Sequence, residues 1–283
     1  MSYSLWRAYD TSLPGFFPEA RMPRFAANIS TMYTDRPFLD RFAAARRDGF
    51  AAVECQFPYA APADSIRAAL ESAGLSLVLL NTPAGDASAG ERGLAAVPGR
   101  EEAFREALDQ AIEYARITGC TRIHLMAGVP PEGARREECE AVFAANLRHA
   151  ARQLGPLGIT GLVEPINPRD MPGYFLQTQE QAHSLLATVG EDALAVQMDL
   201  YHCQIVEGDV ATRIRRHFAG IGHVQIAGVP DREEPDRGEL HYPYLFALLD
   251  ALGYDGWVGC EYRPHGDTSA GLGWLHRWRE TGA

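Results

Sequence analysis

The amino-acid sequence predicts an α/β protein built as a single (β/α)8 TIM barrel, with its catalytic loops at the C-terminal face of the strands. Two observations predict it. From residue 25 onward, eight short aliphatic or β-branched runs alternate with helix-forming stretches, several showing apolar residues at i, i+3, i+4 and i+7. In addition, four polar residues stand at or close to the ends of four successive apolar runs: Glu164 in GLVEPI, Asp199 in AVQMDLY, Gln225 in GHVQIAG and Glu261 in GWVGCEY. They lie 35, 26 and 36 residues apart, about one strand–helix unit each, so a barrel would aim one side chain from each of four neighbouring strands at a common point. A doubly wound open sheet would usually carry a Gly-rich first turn, and none follows Ser30.

In chain order the strands are expected at Phe25–Ser30, Ala52–Phe57, Leu75–Thr82, Arg122–Gly128, Thr160–Ile166, Leu194–Tyr201, His223–Gly228 and Trp257–Arg263. The helical stretches between them include PFLDRFAAARRDG, EEAFREALDQAIEYARITG and EAVFAANLRHAARQLG. Gly49, Gly74, Gly119, Gly158, Gly190, Gly222 and Gly253 fall just past helices, where a left-handed cap is expected. Residues 1–21 fit no unit of the pattern and are assigned to a peripheral N-terminal extension. MPRFAANIS is the natural entry to the first strand, so residues 22–283 form the catalytic domain. The segments Pro83–Arg100 and Val129–Arg136 are long loops after strands, expected to cover the catalytic face.

Strands of a parallel barrel are buried on both faces, so an ionisable group there is costly unless paired or metal-bound. One such carboxylate reads most simply as a salt-bridged core residue. Three at corresponding strand ends, with Gln225 completing a ring, read as a site for a hard divalent cation that relieves their mutual repulsion. Oxygen donors favour Mg²⁺ or Mn²⁺ over Zn²⁺. The expected metal ligands are Glu164, Asp199, Gln225 and Glu261.

Bulk composition bounds the function. A hydrophobic content of 46% and a charged content of 22% are those of an ordinary globular protein, and no apolar run approaches a membrane span. The N-terminus lacks the pattern of a secretory signal, so a cytoplasmic protein is expected. A net charge of −11 disfavours a nucleic-acid partner, and no membrane partner is expected. Five scattered cysteines without a CxxC pair read as free, mostly buried thiols, and strand alternation should turn Cys260 away from Glu261. All 26 basic residues are arginine. Without lysine, Schiff-base aldolase chemistry, pyridoxal phosphate catalysis and a Walker-type phosphate loop are excluded.

RFAANIS, LLNTPAGD, VPGRE, HLMAGV, LVEPINPRDMPGYFL, QMDLYHCQIVEGD, GHVQIAGVPDR and GWVGCEYRP together resemble the hydroxypyruvate isomerase family, within the xylose-isomerase-like barrels. The resemblance spans essentially residues 22–275. It implies interconversion of hydroxypyruvate and 2-hydroxy-3-oxopropanoate (tartronate semialdehyde), with Glu164 and Glu261 as both metal ligands and the proton donor/acceptor pair. Moving a carbonyl by one carbon needs one proton removed and one returned, so two carboxylates flanking the substrate suit the task without an organic cofactor. The substrate carboxylate calls for a cation, for which Arg232 is the first candidate, the alternative being a solvated charge in DREEPDR. His124 and His202 are candidates to hydrogen-bond substrate oxygens, or else structural residues. Arg263 shares the face of Glu261 by alternation and could steady it, the simpler alternative being packing at the rim. His241 in GELHYPYLF departs from the asparagine of similar sequences. Three rivals remain: isomerisation of a longer 2-oxo acid such as 2-oxotetronate, metal-dependent cleavage of abasic DNA, and a catalytically dead binding protein. The partner is a small 2-oxo or hydroxy acid; a homo-oligomer is neither required nor excluded.

Overall fold

The computed structural model describes residues 23–281. The N-terminal extension expected over residues 1–21 lies outside the described residues. Eight parallel strands close into a barrel in sequence order: β1 (Arg24–Asn28), β2 (Ala52–Cys55), β3 (Ser76–Asn81), β4 (Arg122–His124), β5 (Thr160–Val163), β6 (Leu194–Asp199), β7 (Ile221–Ile226) and β8 (Trp257–Cys260). The outer ring comprises α1 (Asp40–Arg47), α2 (Ala63–Ala73), α3 (Glu101–Thr118), α4 (Arg136–Leu154), α5 (Gln179–Val189), α6 (Leu200–Val206), α7 (Val210–His217), α8 (Tyr242–Ala251) and α9 (Gly273–Thr281). Two helices follow β6 where the repeat predicts one.

The helices form where the apolar stripe is clearest. In α3, Phe104, Ala107, Leu108, Ala111 and Ala115 are buried, Glu101 and Glu102 occupy the first turn, and Gly119 caps the end with a φ of 73°. Gly222 is a correction. It lies inside β7 with no left-handed φ, and a Cβ there would come within 2.6 Å of Ala195 Cβ, so the glycine serves strand packing. Most predicted strands are longer than the observed ones, chiefly β4 and β8, while β7 keeps its length and starts two residues earlier. The pairing ends where the chain leaves the barrel toward its C-terminal mouth. That leaves Glu164 and Glu261 one residue beyond β5 and β8, Asp199 as the last residue of β6, and Gln225 within β7.

Alternation sorts the barrel interior into layers. Ala26, Ala52 and Val78 form a small apolar floor with Trp257 packed against it. Two residues further along the same strand faces, Asn28 and Glu54 begin a buried polar layer. The main apolar core lies between the barrel and the helices and takes in Cys260, which faces away from the carboxylate layer as alternation requires. All five cysteines are buried and free. The loop over residues 83–100 is anchored, since Leu94 and Ala95 donate to Met126 O and Ala96 donates to Ala127 O. Among the described residues no helix is long and apolar enough to cross a membrane.

Candidate active site at the C-terminal mouth of the barrel

The fold brings three carboxylates together. Glu164 is 5% exposed, Asp199 0% and Glu261 4%. Burial pushes the Glu164 carboxyl well above the usual range, and the charges of Glu261 and Asp199 push it further. Burial also raises Asp199, to about 7, against the opposing pull of Arg232. Glu261 is raised too by burial, and Arg232 and Gln56 pull it back. Asp199 Oδ1 accepts from the backbone N–H of Tyr201 at 2.8 Å, capping α6. Its Oδ2, and Oε1 of Glu164, are buried without a hydrogen-bond partner among the described residues. Orphaned acceptors of neighbouring carboxylates are what a hard divalent cation satisfies, so this donor set fits the expected metal.

His202 completes a group with Glu164 and Asp199 whose ligand atoms all lie within 4.8 Å of one another. Its ring is oriented from behind. Asn167 Oδ1 accepts from Asp170 N at 2.8 Å, so Asn167 Nδ2 faces His202 Nδ1 at 2.6 Å, and Asn167 N donates to the same atom at 3.4 Å. With Nδ1 accepting, the neutral ring carries its proton on Nε2, which lies 3.6 Å from Asp199 Oδ2 and 3.8 Å from Glu164 Oε1. Burial, helped by Arg232, keeps this imidazole neutral. His202 is therefore set up as a hydrogen-bond donor into the site. His124 Nδ1 is 3.3 Å from Glu164 Oε2, and burial lowers its pKa to about 3.

Arg232 is not a solvated charge. It is 13% exposed, with Nη2 at 2.9 Å from Glu261 Oε2 and 3.7 Å from Asp199 Oδ2, and Nη1 at 3.2 Å from Asp170 Oδ2. The guanidinium lies 5.1 Å from the ring centre of Tyr201, whose hydroxyl donates to Asp170 at 3.2 Å. Its backbone adopts φ 59°, uncommon for a residue other than glycine, and is held by bonds to Gly228 O and from Arg263 N. Arg263 itself corrects the expectation made for it: its side chain is exposed, and Glu261 is steadied by Arg232 and by Gln56, whose Nε2 donates to Oε1 at 2.5 Å. His241 is exposed and borders a surface cavity of about 460 Å³ beside Phe246 and Trp274, which none of the acid-cluster residues lines.

Gln225 stands beside this cluster, 1% exposed, with both ends of its amide engaged. Nε2 donates to Glu54 Oε1 at 2.7 Å and Oε1 accepts from Gln197 Nε2 at 2.6 Å. Sequence reading missed Glu54, Gln56, Asn167, Asp170 and Gln197. For the first two a signal existed: Glu54 and Gln56 alternate in AAVECQF, as polar residues do at the other strand ends. Asn167 and Asp170 sit in a loop with no period to flag them.

The profile of the xylose isomerase-like TIM barrel family matches residues 42–278. The chain is 59% identical over 254 residues to a 2-oxo-tetronate isomerase of Cupriavidus necator, covering 90% of this chain and 98% of that one. It is 43% identical over 258 residues to the hydroxypyruvate isomerase of Escherichia coli, covering 91% and 100%. A crystal structure from Brucella melitensis, titled AP endonuclease, family 2, superposes with a TM-score of 0.89 at 52% identity, covering 90% of this chain and 99% of that one. The chain belongs to the xylose isomerase-like TIM barrel family, among relatives named hydroxypyruvate isomerase and 2-oxo-tetronate isomerase.

Proposed function

We propose that this protein is a metal-assisted aldose–ketose isomerase that interconverts hydroxypyruvate and 2-hydroxy-3-oxopropanoate. The observation that carries the reading is the pair Glu164 and Glu261, buried beside Asp199 at the C-terminal mouth of the barrel, in a chain whose relatives are named isomerases of short oxo acids. Glu164, Asp199, Gln225 and Glu261 would hold Mg²⁺ or Mn²⁺. The ion would compensate the crowded carboxylates and polarise the two neighbouring substrate oxygens.

The chain's own residues divide the remaining work. Arg232 and Gln56 hold charge on Glu261, which suits it to take a proton from C3 of hydroxypyruvate. Glu164 returns a proton to C2 while the hydroxyl proton passes from the C3 oxygen to the C2 oxygen, and the roles reverse in the other direction. His202 Nε2–H and His124 donate to substrate oxygens. Arg232 is already bonded to Glu261 and Asp170, yet its guanidinium has five N–H donors, leaving some for the substrate carboxylate. In this reading residues 1–21 lie outside the catalytic domain and the protein works in the cytoplasm.

The test is turnover of hydroxypyruvate by metal-stripped protein with and without added Mg²⁺ or Mn²⁺. Activity restored by either ion is expected, and no activity with both overturns the assignment. The 59% identity to a 2-oxo-tetronate isomerase favours a second reading within the same chemistry, a substrate longer by one carbinol. Relative kcat/KM on the two acids decides between them, and metal-dependent cleavage of abasic DNA would replace both.

A further inference from the structure

One buried carboxylate has no part in the proposed proton transfer. Glu54 of β2 is 0% exposed and lies beneath the acid cluster. Its Oε1 accepts from Asn28 Nδ2 at 2.9 Å and from Gln225 Nε2 at 2.7 Å, and its Oε2 lies 2.7 Å from His223 Nε2. The side chain reaches past β1 to β8, where Gly259 makes room for it: a Cβ at Gly259 would stand 2.2 Å from Glu54 Oε2. With Gln197 bonded to Gln225, the chain of contacts runs β2, β1, β8, β7, β6 across five neighbouring strands.

The belt gives Gln225 a direction. Gln225 pairs in register with Gly259 of β8 on one side and with Asp199 of β6 on the other. Glu54, lying over Gly259, takes the amide nitrogen on the β8 side. A flipped amide would set the Gln225 oxygen against a carboxylate oxygen at 2.7 Å, a repulsive contact. The Gln225 oxygen is thereby turned toward β6, where Gln197 uses one lone pair and Asp199 stands two residues further along the same face. We propose that Glu54 is a positioning residue for metal binding: it fixes the polarity of the Gln225 amide so that its carbonyl oxygen, and never its NH2 group, faces the cation beside Asp199. The proposal rests on Gln225 being a metal ligand.

The test measures Mn²⁺ affinity of the full chain by titration calorimetry, with the thermal midpoint of each metal-free variant as a control on folding. Glu54→Gln gives residue 54 an NH2 group and frees the Gln225 amide to flip. It is expected to weaken Mn²⁺ binding by roughly 10-fold or more, as loss of a ligand's hydrogen-bond partner does. Gln225→Ala is expected to weaken it at least as much. The double variant is expected to bind no more weakly than Gln225→Ala alone, because Glu54 acts through Gln225. A full extra loss in the double variant would mean that Glu54 acts by its charge alone, and the proposal fails. Glu54→Gln with unchanged affinity beside a weakened Gln225→Ala also overturns it while leaving Gln225 a ligand. An unchanged Gln225→Ala removes the ligand assignment and the proposal together. Should Glu54→Gln not fold, Asn28→Ala removes one of the carboxylate's three donors and reads the same effect, expected at roughly threefold in the wild-type background and absent in Gln225→Ala.

Discussion

Two polar layers lie one above the other inside this barrel, and they treat their carboxylates differently. In the lower layer both oxygens of Glu54 are bonded, to Asn28, Gln225 and His223. In the upper layer Glu164 Oε1 and Asp199 Oδ2 have no hydrogen-bond partner among the described residues, although both residues are as deeply buried. Burial is the same and satisfaction is not. A carboxylate with its donors in place stabilises the fold around it, whereas one oxygen left bare on each of two neighbouring carboxylates, beside a Glu261 already bonded to Gln56 and Arg232, keeps an open position for something the chain itself does not supply.

The largest effect expected from this contrast is on chemistry. Glu164→Gln and Glu261→Gln should each lower kcat by roughly 10²–10⁴-fold, the range for loss of a general acid or base, while circular dichroism shows an unchanged fold. Full activity in either variant would erase the distinction between the layers. Stability should sort them the other way. In metal-free protein, Glu54→Ala strands three buried donors and should cost about 3 kcal/mol in chemical denaturation. Glu164→Ala removes a carboxylate that the metal-free fold holds at a cost, and should lose less than a third of that or gain. Equal losses would show the upper layer to be structural.

A smaller effect is expected at the rim. Arg232→Gln should raise KM for hydroxypyruvate by roughly 10- to 100-fold, the worth of one charged hydrogen bond, and Arg232→Lys should recover part of it. No change in KM would assign the arginine to Glu261 alone. The finest discriminator is pH. Asp199 is raised in the fold to about 7 from an ordinary 3.8, so the folded protein holds a proton that the unfolded chain has released. That stabilisation is complete below the unfolded value and is lost as pH climbs through the folded one. Metal-free protein should therefore lose stability between about pH 4 and pH 7, and metal-loaded protein should not, because the cation takes the proton's place.

How much of this was legible beforehand differs from residue to residue. Glu164, Asp199 and Glu261 could be read because alternation, which holds along a strand and for the one residue past its end, and the length of one strand–helix unit are both local quantities, and together they set which face and which end of the barrel a side chain occupies. Gln56 obeyed the same rule and was overlooked. Arg263 was misjudged because alternation reaches no further than that, and β8 stops at Cys260. Arg232 took that place from a loop whose course depends on bonds to Gly228 and Arg263.

From the chain alone came the eight alternations, the helix stripes, the end of the barrel that carries chemistry and the three carboxylates there, since each follows from spacing along a few tens of residues. Only the closed barrel decided that Glu54 meets Gln225 across 171 positions and His223 across 169, and so which way an amide points. Register between distant strands and the choice of side-chain rotamer are settled by packing many remote residues at once, and no local period encodes that.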